Sequence, residues 1–185
     1  MTTDTHIESN AESGCWADIG LDTTSVEFRP WSSQWMECFT EEAARVMSAC
    51  DGLVVAIEHI GSTAIADLPC RPIIDLLVGV DHLRDASGCI DPLKESGFRC
   101  HGENGVAGRR YFTRSIDRQC VVQLHMVQFG GDFWEDAIRF RDLLREDSTL
   151  SVEYAKAKVE MQSQYPSDAA AYDAARLAFE REALA

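Results

Sequence analysis

Lysine is nearly missing from this chain: Lys94, Lys156 and Lys158 stand against 14 arginines. Positive charge is scarce altogether, with 17 basic side chains, 31 acidic ones and a net charge of −14. Nucleic-acid binding depends on basic side chains displacing counterions from phosphates, so a domain this acidic is expected to avoid nucleic acid and anionic membranes. An anion site here has to be a local basic pocket, and arginine forks suit bidentate phosphate or carboxylate binding. Long apolar runs are also lacking. Ile73–Val80 is broken by Asp75 and is too short to span a bilayer. Residues Met1–Cys15 hold acids and no apolar core of the secretory type. The expectation is a cytoplasmic protein. None of the seven cysteines forms a CxxC pair or a zinc-finger cluster with histidine, so they read as reduced, buried small hydrophobes. Cys70 stands out only because it lies inside the motif described below.

A hydrophobic fraction of 45% and a charged fraction of 26% describe a globular chain, and 185 residues suit one domain. Residues 1–22 read as a polar lead-in, and residues 23–185 as a single domain whose last part, 132–185, is helical. Val26–Arg29 reads as a short strand, and the apolar spacing from Trp35 to Cys50 predicts a helix. Leu53–Ile60 is apolar on both faces and suits a central strand. Pro72–Val80 is the strongest strand, and Asp81–Gly97 reads as one amphipathic helix. A short strand, Phe98–His101, precedes a hairpin of Arg109–Arg114 and Cys120–Phe129. Helices follow over Asp132–Arg145, Ser148–Tyr165 and Ser167–Ala183, broken at Asp147-Ser148 and Pro166-Ser167. The fold class is α+β (or α/β) with a mixed sheet and C-terminal helices.

One constellation carries the most chemistry. Gly61-Ser62-Thr63 follows an apolar strand, and Asp75 sits inside the next one. A Gly-Ser turn allows close backbone approach and supplies a hydroxyl, which suits a phosphate oxygen. A helix starting after the turn would add a favourable dipole. A strand carboxylate can hold a hard cation that bridges phosphates. This Gly-Ser turn with a strand acid resembles the polymerase-beta-like nucleotidyltransferase fold. The run His59-Ile-Gly-Ser-Thr-Ala-Ile-Ala-Asp-Leu-Pro-Cys-Arg-Pro-Ile-Ile-Asp-Leu-Leu-Val78 is similar to the GrpB-like branch of that superfamily, as are Gly108-Arg-Arg-Tyr-Phe112, Leu124-His-Met126 and Phe140-Arg-Asp-Leu-Leu-Arg145. The resemblance implies a nucleotidyltransferase-like core with C-terminal helices, a nucleoside triphosphate as substrate and a divalent ion such as magnesium or manganese.

The departures bear on the chemistry. Arg71 stands where the branch usually carries lysine, and Ala66-Asp67-Leu68 replaces Pro-Gly-Leu. Active nucleotidyltransferases have two acids spaced by one residue, whereas Asp75 is flanked at that spacing by Ile73 and Leu77. The later strand acid is replaced by His125. If His59, Asp75 and His125 converge, two imidazoles and a carboxylate suit zinc or iron better than magnesium. They suit metal-free acid–base work equally well, with Asp75 orienting a histidine.

The catalytic candidates are therefore Asp75, His59 and His125, which are also the metal candidates. Gly61, Ser62, Thr63, Arg71, Arg109, Arg110 and Arg141 are the substrate-binding candidates. Along the hairpin, Arg110 and Arg114 share one face with Phe112, and Arg109 takes the other. Asp142, three residues from both Arg139 and Arg145, reads as an intrahelical ion-pair partner, whereas Arg141 is placed to reach the cleft. Lys156 and Lys158 read as surface charges. The leading expectation is a nucleotidyltransferase-like enzyme taking a nucleotide or another small anionic substrate. The alternatives are a His/Asp-dependent catalyst on the same scaffold and a non-catalytic ligand-binding module.

Overall fold

The structure is a computed structural model that describes residues 14–185. Helix α1 (Gln34–Ala49) leads into strand β1 (Val54–Ile60), a Ser62–Ala64 3-10 turn and strand β2 (Ile74–Val80). A second 3-10 turn, Leu83–Cys89, precedes α2 (Ile90–Glu95), β3 (Phe98–Cys100), β4 (Arg110–Ile116) and β5 (Gln119–Gln128). Helices α3 (Asp132–Glu146), α4 (Ser148–Gln164) and α5 (Ala169–Leu184) complete the chain. The strands form one sheet in the order β1-β2-β5-β4-β3, with β2 and β5 parallel and every other pair antiparallel. The fold is thus α+β with a mixed sheet. Among the described residues no helix is long and apolar enough to cross a membrane.

The two faces of the sheet are built differently. Ile74, Leu76, Val78 and Val80 of β2 and Val122, Leu124 and Met126 of β5 point into the main core. That core is closed by Trp35, Cys38 and Val46 of α1 and by Leu93 of α2. A buried Glu42 carboxylate grips Arg114 there, with Oε1 and Oε2 both 2.8 Å from guanidinium nitrogens. Paired on both oxygens, the two charges are tolerated inside an apolar layer. On the opposite face a smaller cluster of Ile60, Leu77, Val127 and Trp134 seats α3 on the sheet. Asp147 caps α4 by accepting from the Thr149 and Leu150 amides.

Four expectations change. Strand β1 is an edge strand and not a central one. Its two apolar faces arise because Ile57 packs on the main core while Ala56 and Ile60 pack on the smaller cluster, so helices and not strands cover it. Val26–Arg29 contributes a single bridge, Arg29 to Cys70, because Pro30 and Pro69 beside it have no N–H to extend the ladder. Asp81–Gly97 divides into a 3-10 turn and a short helix, which places Pro92 in the first turn of α2, where its missing N–H costs nothing. Within the polar lead-in, residues 1–13 lie outside the described part. Cys15, Trp16 and Ile19, by contrast, are buried in the core, and the Trp16 indole donates to Glu41 at 2.9 Å. The apolar spacing of those few residues was hidden by their acidic neighbours.

Candidate functional site

Strand pairing decides which side chains can meet. Antiparallel partners share a face, and Asp75 is opposite Ile60, whereas His59 is opposite Leu76. In the β2–β5 register Leu77 aligns with His125, and Tyr111 of β4 is opposite His125. Asp75, His125 and Tyr111 therefore share the α3 side of the sheet, and His59 faces the main core.

His59 does not join the other two candidates. Its ring stacks on Phe39 with centroids 4.6 Å apart, and it is only 3% exposed. The Thr63 hydroxyl donates to the Ile73 carbonyl at 3.2 Å, so it accepts from His59 Nε2–H at 3.0 Å. Burial holds the His59 pKa down to about 4, and Arg145 and Arg141 act in the same sense. His59 and Thr63 are thus a buried brace between β1 and the turn.

Around Asp75 the chain is tightly constrained. Gly61 follows the Asp75 partner Ile60 with φ 71, and a Cβ there would lie 2.2 Å from Asp75 Oδ2. Both the backbone conformation and the space demand glycine. Ser62 is half-buried at the start of a turn only three residues long, so no helix dipole forms at this point. Cys70 donates its thiol to the Ser62 carbonyl at 3.1 Å, and burial raises its pKa to about 11, which makes it an inert packing group.

His125 Nε2 stands 3.7 Å from Asp75 Oδ1. Its other nitrogen, Nδ1, lies 3.0 Å from Arg109 Nη1. Arg109 is 7% exposed, donates to the Glu103 and Asn104 carbonyls, and lies over the Tyr111 ring at 4.8 Å. The remaining arginine candidates divide. Arg71 pairs with Asp173 of α5 at 3.1 Å and lies over the Tyr172 ring at 5.6 Å. Arg110 sits in register with Met126, on the other face of the sheet, and donates to the Arg109 carbonyl. Arg141 is taken up by Glu58, the His59 carbonyl and Asp142, pinning α3 to β1.

The sequence reading missed the contribution of α4 and α5. Lys158 is no surface charge: it is 1% exposed, donates to the Pro69 carbonyl and faces the Phe28 and Tyr154 rings. Burial lowers its pKa to about 8. Arg176 pairs with Asp173 and Glu180 of its own helix. Burial disfavours its charge, but Glu180, Tyr154 and Asp173 outweigh that, and its pKa is raised. Lys158 feels the charges of Arg71, Arg176 and Asp75, and Arg109 feels Arg176 and Asp173. Arg71 and Arg176 share the Asp173 carboxylate, at 3.1 and 3.5 Å, with Glu180 beside Arg176, and Lys158, Arg109 and Asp75 lie within electrostatic range of that group. Buried polar atoms without a partner in this cluster are Arg71 Nε and the Tyr172 hydroxyl. A cue existed in the i,i+4 spacing of Tyr154 with Lys158, which sets the ammonium beside the Tyr154 ring. A surface hollow lined by Phe28, Trp31, Asp67 and Leu68 contains none of the charged groups of the cluster.

The donor set does not suit a resident divalent metal. Asp75 has no acid two positions away, and among the described residues no group of three His, Cys, Asp or Glu side chains is arranged to hold one. His59 is on the wrong face, and Arg109 covers His125 Nδ1.

Known proteins resemble this chain in sequence and fold. The family model described as "GrpB protein" matches residues 25–185. The chain is 31% identical over 170 residues to the glutamate-rich protein GrpB of Alkalihalophilus pseudofirmus, covering 90% of this chain and 98% of that one. It is 36% identical over 141 residues to the UPF0157 protein YqkA of Bacillus subtilis, covering 76% of this chain but only 41% of the relative's length. The crystal structure of GrpB from Enterococcus faecalis superposes with a TM-score of 0.74 at 29% identity, over 85% of this chain and 96% of that one. Cid1, solved with its short product ApU, superposes with a TM-score of 0.50 at 13% identity, over 73% of this chain and 42% of Cid1. The core therefore has a nucleotidyltransferase-like fold, and the chain belongs to the GrpB family.

Proposed function

We propose that the protein binds a nucleotide or another small anion on the open side of its sheet, between Gly61-Ser62, Asp75 and the C-terminal helices, and acts on it as a nucleotidyltransferase-like enzyme. The observation that carries this reading is the cation cluster. In a chain with a net charge of −14, Arg71, Arg109, Lys158 and Arg176 gather near the strand carboxylate Asp75, with Asp173 and Glu180 of α5 as the counter-charges of Arg71 and Arg176. Burying Lys158 and Arg109 carries a desolvation cost, and an anionic ligand would offset it. The unpaired Arg71 Nε and Tyr172 hydroxyl supply donors in the same place. Ser62 and the adjacent backbone would hold one end of the anion, and Arg109 and Arg71 would counter its charge.

A metal-free variant of this chemistry has its own support. Asp75 lacks the second acid that two-metal transfer uses, while His125 stands 3.7 Å away on a defined face. Asp75 and His125 would then move a proton at the ligand without a resident cation. Calorimetric titration with ATP, CTP and GTP, each with and without magnesium or manganese, tests the proposal. Saturable heat with at least one nucleotide, accompanied by a rise in melting temperature, is expected. No heat and no thermal shift with any combination, or with pyrophosphate, overturns it.

A further inference from the structure

The contact between Arg109 and His125 has a consequence for what the site can hold. Arginine has five N–H donors and no acceptor. With Nη1 3.0 Å from Nδ1, the imidazole has to accept at Nδ1, so that nitrogen carries no proton. The remaining proton of a neutral ring then sits on Nε2, the nitrogen that points at Asp75 Oδ1 across 3.7 Å. Arg109 is itself held in place by the Glu103 and Asn104 carbonyls and by the Tyr111 ring, so its fork cannot easily turn away. The imidazole is further confined by the edge-on Tyr111 ring at 5.3 Å and by Phe133 at 6.0 Å.

We propose that Arg109 is a positioning residue that locks His125 as the Nε2–H tautomer, making Asp75 and His125 an acceptor–donor pair fitted to a hydroxyl oxygen of the bound ligand. The 3.7 Å separation is too long for a direct hydrogen bond, yet one oxygen seated beside the pair, about 2.8 Å from each atom, can bond to both. That oxygen donates its hydrogen to Asp75 and accepts from His125 Nε2–H. A metal ion needs a lone pair on Nε2, which this tautomer does not offer. The ligand class is thus an anion that also carries a hydroxyl, such as a ribonucleotide or a hydroxylated phosphate ester. The inference rests on the anion-binding reading for its ligand, but the tautomer itself is a property of the free protein.

Long-range proton–nitrogen correlation spectra of the full chain, labelled with nitrogen-15 and free of ligand, read the tautomer directly. Loss of one ring from the spectrum in His125→Gln assigns the signal among the five histidines. The wild type at neutral pH is expected to show an unprotonated Nδ1 and a protonated Nε2. Folded Arg109→Met is expected to shift toward a tautomer mixture, and one equivalent of zinc should leave the wild-type His125 signals in place. An Nδ1–H tautomer, a doubly protonated ring, or zinc-dependent movement of His125 in the wild type overturns the proposal, as does an unchanged tautomer in folded Arg109→Met. If Arg109→Met does not fold, the wild-type spectrum and the zinc addition decide alone. A failed nucleotide titration leaves this measurement intact, and a wrong tautomer leaves the anion titration standing, so the two readings fail separately.

Discussion

The two faces of the sheet use the same residue types for opposite ends. On the main-core face His59, Glu42 and Arg114 are buried, with His59 bonded to Thr63 and Glu42 to Arg114. On the other face Asp75, His125 and Arg71 stay partly open, and Arg71 Nε and the Tyr172 hydroxyl lack partners. Polar groups in the first set stabilise the fold because they are paired within it; those in the second include buried donors with no protein partner, which the proposed function assigns to a ligand. One residue of alternation along β1 separates the two roles.

The largest effect should come from breaking the closed face. Glu42→Ala removes the carboxylate that grips the buried Arg114 guanidinium with both oxygens, and a destabilisation of about 3–5 kcal/mol is expected in urea melts. Ligand affinity of the fraction that remains folded should be unchanged.

Acid should attack the same face through His59. Its pKa lies near 4 in the folded state and about 6.5 in the unfolded chain, so between those values the unfolded state binds more protons. Its contribution is complete above pH 6.5 and falls away as pH drops toward 4, by roughly 3 kcal/mol. Melting temperatures measured across that window should fall steeply in the wild type and more gently in His59→Gln. Parallel curves would remove His59 from the account.

Gly61→Ala joins the two faces at their boundary. The methyl would meet Asp75 Oδ2 and force an alanine into positive φ, for a cost of about 1–3 kcal/mol. Because the methyl displaces Asp75 itself, nucleotide affinity should fall along with stability, as calorimetry on the folded variant would show.

Lys158→Met should act almost entirely on the open face. It keeps the volume and removes the charge, so affinity for ATP should drop roughly tenfold with a thermal shift smaller than that of Glu42→Ala. Equal affinity would place Lys158 outside the site.

The fold was largely legible because its signals are local. The apolar run around Asp75, the hairpin and the three C-terminal helices follow from periodicity and breakers, and the shared face of Arg110 and Arg114 follows from strand alternation. What could not be read was pairing. That Asp75 faces Ile60 and not His59 depends on a register that no local pattern specifies, and it removed His59 from the site. Lys158 and Arg176 were hidden for a related reason. Their role arises only when α4 and α5 fold back beside Arg71, across some hundred residues of chain. Arg141 had the residue type expected of a ligand clamp, but its neighbours Glu58 and Asp142 claim its donors first.

The sharpest test pairs the two histidines. ATP is titrated calorimetrically into wild type, His59→Gln and His125→Gln, each checked for folding by circular dichroism. Binding should persist in His59→Gln within about twofold and weaken by roughly tenfold or more in His125→Gln, the loss of one hydrogen bond to a charged ligand. Equal losses in both variants, or an affinity untouched by His125→Gln, would contradict the division of the sheet into a closed face that holds the fold and an open face that holds the ligand.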